Sequence, residues 1–217
     1  IFSATAAVYG DPEHHPVTEA ERLKPISPYG RSKLMVEWML EDVARASALT
    51  YTALRYFNVA GADPLGRSGQ SPPNATHLIK VAVQAALAMR DGMDVYGVDY
   101  PTPDGSCLRD YIQVTDLCQA HLDALRRLRA GADSIVCNVG YQKGFSVLEA
   151  IDVVKKVSGV DFPVRLAARR PGDPAAIVAA NARAKAELGW LPKHDNLEEI
   201  VKQALDWERR LHNMKIG

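Results

Sequence analysis

Tyr29 and Lys33 stand four residues apart at the start of a segment that reads as a long helix. Residues at i and i+4 share a helix face, so the pair can aim a phenol and an ammonium into one site. A phenol with its usual pKa of about 10 is a poor base at neutral pH, and a nearby ammonium favours the phenolate. Reaching a value near 7 takes about 4 kcal/mol, part of it from one lysine and the rest from a second cation in the same site. Taken alone, the pair reads equally well as the polar surface of an amphipathic helix. Other residues must decide between the two readings.

Hydroxyls come first among those residues. Ser3 and Thr5 alternate along an apolar strand and share a face. Much later Arg109 opens a strand, and Arg169 to Asp173 form a basic, Gly/Pro-bearing loop. His77 and Leu78 open a helix, a position suited to a phosphate, although a lone histidine there also reads as structural.

The elements that must hold these groups alternate. Strands are expected at 1–3, with an apolar continuation to Tyr9, and at 51–56, 94–97, 109–114, 134–139 and 162–166. Helices are expected at 28–48, 77–89, 115–131, 147–158, 181–188 and 196–211. Ser27 caps the first helix with Pro28 at its first position, and Val36, Met39, Leu40 and Val43 form its apolar stripe. Thr115 or Asp116 caps the third, and Ser146 with Glu149 makes a capping box on the fourth. Residues 11–27, with adjacent His14 and His15, read as a solvated loop, and 58–74 as a long loop. Alternation predicts an α/β fold with a largely parallel sheet, with ligands beyond the carboxyl ends of the strands. Ser3 to Thr5 and Tyr56 to Asn58 are such strand exits.

Composition excludes several classes. The 217 residues are 47% hydrophobic and 24% charged with formal net charge +0, which gives no electrostatic footprint for nucleic acid or an anionic membrane. Cys107, Cys118 and Cys137 lack metal-type spacing and read as reduced thiols in a cytoplasmic protein. No metal is expected. No apolar run is long enough to span a bilayer. The chain starts at Ile1 inside a strand and contains no Gly-x-Gly-x-x-Gly, so the first strands of the sheet and any dinucleotide phosphate loop are expected to precede Ile1.

In order along the chain stand Ser3-Ala4-Thr5, Ser27-Pro28-Tyr29-Gly30-Arg31-Ser32-Lys33 and Leu54-Arg55-Tyr56-Phe57-Asn58. Asp99-Tyr100-Pro101-Thr102-Pro103-Asp104-Gly105 continues into Ser106-Cys107-Leu108-Arg109-Asp110-Tyr111, and Arg169-Arg170-Pro171-Gly172-Asp173 and Leu188-Gly189-Trp190 follow. With these the chain resembles the extended short-chain dehydrogenase/reductase family, and within it the enzymes that invert the sugar 4-hydroxyl of UDP-hexoses. The Tyr-Lys motif is shared widely; the Asp-Tyr-Pro-Thr-x-Asp-Gly-x-x-x-Arg-Asp-Tyr run is far more specific.

The resemblance implies a Rossmann-like, doubly wound NAD-binding domain and a smaller C-terminal α/β substrate domain. Residues 1–60 would belong to the first and 61–217 mainly to the second, with about 107–140 returning to the first. It implies NAD-dependent interconversion of UDP-glucose and UDP-galactose through a 4-keto sugar. Tyr29 would be the base, Lys33 would hold the nicotinamide ribose, and Thr5 would bridge sugar and tyrosine; all three would touch the cofactor site. Phe57 would lie by the nicotinamide. Thr5, Tyr29, Asn58, His77, Leu78, Tyr96, Arg109, Arg170 and Asp173 would bind the UDP-sugar, with Tyr96 stacking on the uracil and Arg169 replacing Arg170 if the register slips by one. Gln113 stands where the family usually has His and is assigned no chemistry. Ile177 stands at a position linked to admitting N-acetylated sugars, and substrate range stays open. A homodimer through the helix bearing Tyr29 and Lys33 and the helix preceding it is implied for the full-length protein. Another nucleotide-sugar epimerase or a dehydratase is the competing enzyme, although Ala6-Ala7 replace the Asp-Glu that a dehydratase carries after its threonine. Without a phosphate loop, residues 1–217 alone could be a non-catalytic nucleotide-sugar-binding module, and are expected to be inactive and to bind NAD negligibly.

Overall fold

The computed structural model describes residues 1–72 and 74–216. The chain is α/β, and its strands lie in three sheets. In the first, β1 (Phe2–Thr5), β2 (Thr52–Tyr56) and β6 (Ile135–Val139) run parallel in the order β1-β2-β6. Parallel neighbours need a crossover, and α1 (Pro28–Ala46) lies in the one joining β1 to β2. In register, Thr5 pairs with Tyr56 and Tyr56 with Val139, so the carboxyl ends of the strands are level.

α1 starts as its sequence dictates. Ser27 Oγ accepts from the Gly30 amide at 3.0 Å, and Pro28 occupies the first turn, where no partner is needed for its nitrogen. Gly30 permits close approach, since a Cβ there would sit 2.4 Å from the Ala7 carbonyl oxygen. That contact seats the helix start against the 3-10 turn Ala6–Val8 that follows β1. The expected apolar stripe is not the buried face. Gly30, Leu34 and Glu37 are buried, Val36 and Leu40 are half-buried, and Met39 and Val43 are exposed. The inward face of α1 meets Arg55 of β2, so a charged pair occupies the position an apolar contact was expected to fill. Arg55 Nη2 lies 2.5 Å from Glu37 Oε2, Nε lies 3.0 Å from Oε1, and Nη1 reaches the Tyr9 hydroxyl at 3.0 Å.

The segment expected to be loop over 58–74 begins with a strand, and position 73 lies outside the described residues. β3 (Asn58–Ala60) pairs in parallel with β5 (Leu108–Gln113). β5 also takes β7 (Gly144–Ser146) antiparallel and β9 (Ala176–Ile177) parallel. These short partners carry no alternating pattern long enough to read from sequence. Of the segment around 107–140, β6 joins the first sheet and β5 the second. The third sheet pairs β4 (Met93–Tyr96) with β8 (Val164–Ala167).

α2 (Leu78–Ala86), α4 (Val147–Ser158) and α6 (Leu197–Ile216) pack together through Ile79, Val83, Ile151, Val154, Ile200 and Leu205. α4 carries the expected capping box. α3 (Val114–Arg129) is capped by Gln113, not by Thr115 or Asp116. The Gln113 carboxamide oxygen accepts from the Thr115 and Asp116 amides, and its nitrogen donates to Ala62 O and Gln203 Oε1, both at 2.8 Å. Asp116 is buried with a different task, accepting from the Tyr141 hydroxyl at 2.7 Å and from the Lys193 and His194 amides. α5 (Ala182–Leu188) leads to fully buried Trp190, whose indole donates to Asp116 O at 2.9 Å.

Candidate active site

Two strand exits of the first sheet, those of β1 and β2, open into one cleft. Thr5 ends β1, Phe57 and Asn58 follow β2, and Tyr29 stands at the start of α1. These four line a cavity of about 560 Å³ together with Tyr56, His77, Arg109, Asp173 and Ile177. A second cavity, of about 520 Å³, shares Asn58, Arg109 and Asp173 with the first and adds Leu78, Tyr96 and Arg170. Of the candidates, Lys33, Ser3 and the alternative Arg169 line neither cavity, and the others line one or both.

Lys33 stands just behind. Its ammonium donates to Ser3 O at 2.9 Å and lies 5.9 Å from the Tyr29 ring centre and 5.1 Å from that of Phe2. Tyr29 is half exposed, its ring open to the cleft. Thr5 is buried, and its Oγ1 accepts from the Ala7 amide at 3.2 Å, which leaves its hydroxyl hydrogen free to donate. Ser3 is turned to another partner, His121 Nε2 at 3.0 Å. His121 Nδ1 meets Leu117 O at 2.9 Å; a carbonyl only accepts, so Nδ1 carries the hydrogen and Nε2 accepts from the serine.

The second cavity is the cationic end. Arg109 Nη1 donates to Leu108 O at 2.8 Å and Pro174 O at 2.9 Å, and its Nη2 lies 3.8 Å from Asp173 Oδ1. Two carbonyls and a loose carboxylate fix the guanidinium without exhausting its five donors. The Arg170 guanidinium lies 3.5 Å from the Tyr96 ring centre. Tyr96, expected as an open stacking face, thus already carries a cation on one side. Arg169 faces away, its Nε donating to Asp99 Oδ1 at 2.7 Å and its guanidinium lying over Tyr100. Arg170, not its neighbour, is the one in the cleft.

Cys107, Tyr111, Thr76 and Arg90 also line the second cavity and were not singled out from sequence. A signal existed for two of them. Cys107, Arg109 and Tyr111 alternate along and into β5, so a face carrying Arg109 carries its neighbours two away. The Tyr111 hydroxyl is buried without a partner, and burial pushes its phenol above the ordinary range. No local pattern flags Thr76 or Arg90.

One buried carboxylate supports this wall. Asp110, next to Arg109, accepts from the amides of Tyr141 at 2.9 Å, Gln142 at 3.0 Å and Ala179 at 3.1 Å. It ties β5 to the turn after β6 and to the segment carrying Ile177. Desolvation raises its pKa to about 6 in spite of those bonds. Among the described residues no group of three or more His, Cys, Asp or Glu side chains could hold a metal ion, and no helix is long and apolar enough to cross a membrane.

Residues 1–140 match the family described as NAD dependent epimerase/dehydratase. The chain is 54% identical to a UDP-glucose 4-epimerase of Azospirillum brasilense over 97% of this chain and 61% of that protein. It is 45% identical to one of Halalkalibacterium halodurans over 96% of this chain and 63% of that protein. The fold matches a Stenotrophomonas maltophila UDP-glucose-4-epimerase with bound NAD and formylated UDP-arabinopyranose at a TM-score of 0.94 and 39% identity, over 98% of this chain and 64% of the other. It matches a Bifidobacterium longum UDP-glucose 4-epimerase in complex with NAD+ and UDP at 0.91 and 37% identity, over the same shares. The chain spans about three-fifths of the length of the curated relatives it matches.

Proposed function

The chain belongs to the NAD dependent epimerase/dehydratase family, and from that premise we propose that the whole protein is an NAD-dependent enzyme interconverting UDP-glucose and UDP-galactose. One observation carries the proposal. A tyrosine at the start of α1 and a threonine at the exit of β1 share a continuous cleft with two arginines, through Asn58, Arg109 and Asp173. That pairs a proton-handling end with a diphosphate-binding end, as a nucleotide sugar requires.

In this reading Arg109 and Arg170 bind the diphosphate and Asp173 a ribose hydroxyl. Tyr96 borders the base, with Arg170 covering its other face. Asn58, His77 and Leu78 line the path between the phosphates and the sugar. The Tyr29 oxygen takes the proton of the sugar 4-hydroxyl and gives it back after inversion. The Thr5 hydroxyl donates to the same oxygen, and Lys33 supplies positive charge behind the phenol. Inversion at C4 needs the sugar to turn over between the two proton transfers, and a cavity of about 560 Å³ has room for it.

The residues fit one end of NAD. Lys33 and the hydroxyls of Tyr29 and Thr5 would hold its nicotinamide ribose, and Phe57 would border the ring. When bound, NAD supplies reversible hydride storage. Residues 1–60 are assigned to the NAD-binding domain and 61–217 mainly to the substrate domain, with β6 returning to the first. The α1 face bearing Met35, Trp38, Met39 and Val43, each 49% to 61% exposed, supports a homodimer. Three unpaired cysteines suit a reducing cytoplasm.

The test supplies UDP-galactose to the full-length protein with UDP-glucose dehydrogenase as coupling enzyme. Reduced NAD should accumulate with time. Its absence, alongside turnover of a different UDP-sugar, would overturn the assignment in favour of another nucleotide-sugar enzyme.

A further inference from the structure

His77 precedes α2 but does not cap it: its side chain makes no bond to the helix amides. Its ring is held from elsewhere. Gln70 Nε2 lies 2.6 Å from His77 Nδ1. A carboxamide nitrogen only donates, so Nδ1 accepts and the hydrogen of the neutral ring is on Nε2. That nitrogen is the one left free on a side chain that lines the cleft beside Asn58 and Arg109.

Gln70 is itself anchored from two sides. Lys80 Nζ donates to Gln70 O at 2.7 Å and to Glu208 Oε2 at 2.5 Å, and Gln84 donates to Glu208 Oε1 at 2.8 Å. The Lys80 and Glu208 side chains are both 5% exposed, so this anchor is out of solvent. On the other side, Gly69 lies flat against Trp207. A Cβ at Gly69 would come within 2.5 Å of the indole, so the backbone preceding Gln70 sits where only glycine fits. Gly69 also pairs with Ala62 as an isolated bridge. A loop residue between Lys80 of α2 and Trp207 of α6 has a fixed backbone, and its carboxamide reaches the ring from a set position.

We propose that Gln70 is a positioning residue that holds His77 as the Nε2–H tautomer, so that the imidazole donates to a diphosphate oxygen of the substrate. The role follows from charge. An anionic oxygen needs a donor, and the other tautomer would present a lone pair to it. A neutral imidazole donates from Nε2 when its Nδ1 accepts, and the carboxamide nitrogen, which can only donate, holds it in that form. Glu208 and Lys80 act at one further remove, by fixing Gln70. The inference rests on the reading of the cleft as a nucleotide-sugar site, but its first consequence does not.

The test begins with two-bond 1H–15N correlation on the ¹⁵N-histidine-labelled full-length protein, His77 being assigned by its loss in His77→Gln. The expected result is a protonated Nε2 and bare Nδ1 before any ligand is added. The opposite tautomer would overturn the proposal by itself. The second arm uses Gln70→Leu, which keeps the anchored backbone and removes the donor. Titration with UDP should be about tenfold weaker, the scale of one charge-assisted hydrogen bond. KM for UDP-galactose should rise with it while kcat falls far less. Unchanged UDP affinity in Gln70→Leu with a folded protein by circular dichroism would sink the role. If the wild-type protein binds UDP but does not epimerise UDP-galactose, the reaction assignment fails while the tautomer and UDP measurements still decide this one.

Discussion

Lys33 donates its ammonium to the carbonyl of Ser3 at 2.9 Å, so the first turn of α1 is fastened to the strand that ends in Thr5. The bond links the elements that carry Tyr29 and Thr5, the two groups proposed to handle the proton. It also gives the lysine a structural task beside its proposed electrostatic one. Tyr29→Phe removes only the proposed base and no packing contact of consequence, because the ring is half exposed. Its kcat on UDP-galactose in the full-length protein should fall by about 10²- to 10⁴-fold, with thermal unfolding unchanged. Lys33→Met should reduce kcat as well and also lower the melting temperature, because the Ser3 tie is lost. Equal melting temperatures for the two variants would show that the tie carries no stability.

Arg55 and Glu37 form a bidentate pair whose side chains are 5% and 6% exposed. Removing one partner leaves a buried charge without compensation. Glu37→Ala should cost about 3–5 kcal/mol in urea unfolding, whereas Glu37→Leu with Arg55→Met should recover most of it. A single-variant loss below about 1 kcal/mol would mean that water reaches the guanidinium.

The positions of these groups were unequally legible in the sequence. The N-cap at Ser27 and the capping box at Ser146 are local signals, legible because the relevant bonds span three residues. The buried face of α1 was misread for a non-local reason. Helical periodicity reports which residues are apolar, and it cannot report that β2 presents an arginine to the helix. The same holds for Gln113, whose carboxamide caps α3 and bridges Ala62 and Gln203, residues distant in sequence. Arg170 and Arg169 are indistinguishable by type, and only the fold turns one into the cleft and the other towards Asp99. β7 and β9, with three and two residues, pair through β5 rather than through any pattern of their own.

Asp110 gives a pH dependence whose sign follows from burial. Its carboxyl titrates near 6 in the folded chain against 3.8 for an unperturbed aspartate, so between these values the folded protein binds more protons than the unfolded one. The group's contribution to stability is therefore greatest below the lower value and declines as pH rises through about 6. Asp110→Asn replaces one acceptor with an NH₂ that faces backbone amides, and should destabilise at every pH. The gap in urea midpoint between wild type and variant should be wider at about pH 4.5 than at about pH 7. A gap that widens towards neutral pH would mean that the three amide bonds outweigh desolvation, and that the carboxylate is charged throughout.

Met35, Trp38, Met39 and Val43 follow one another at helical spacing on the face of α1 that looks away from β2. An apolar stripe of this kind on a long helix is more than a scattered surface residue, and a two-fold axis across it would bring the stripe as a whole against its copy. Trp38 has the largest side chain of the four and stands within the stripe. Trp38→Glu places a charge there and, in a two-fold pair, a second like charge opposite. In size-exclusion chromatography with light scattering the full-length protein should elute as a dimer and the variant as a monomer at micromolar concentration. Because Tyr29 and Lys33 sit on the same helix nearer its start, the monomer should keep the fold by circular dichroism while its kcat drops by less than about tenfold, far short of the loss in Tyr29→Phe. A variant that stays dimeric would move the interface off this face of α1.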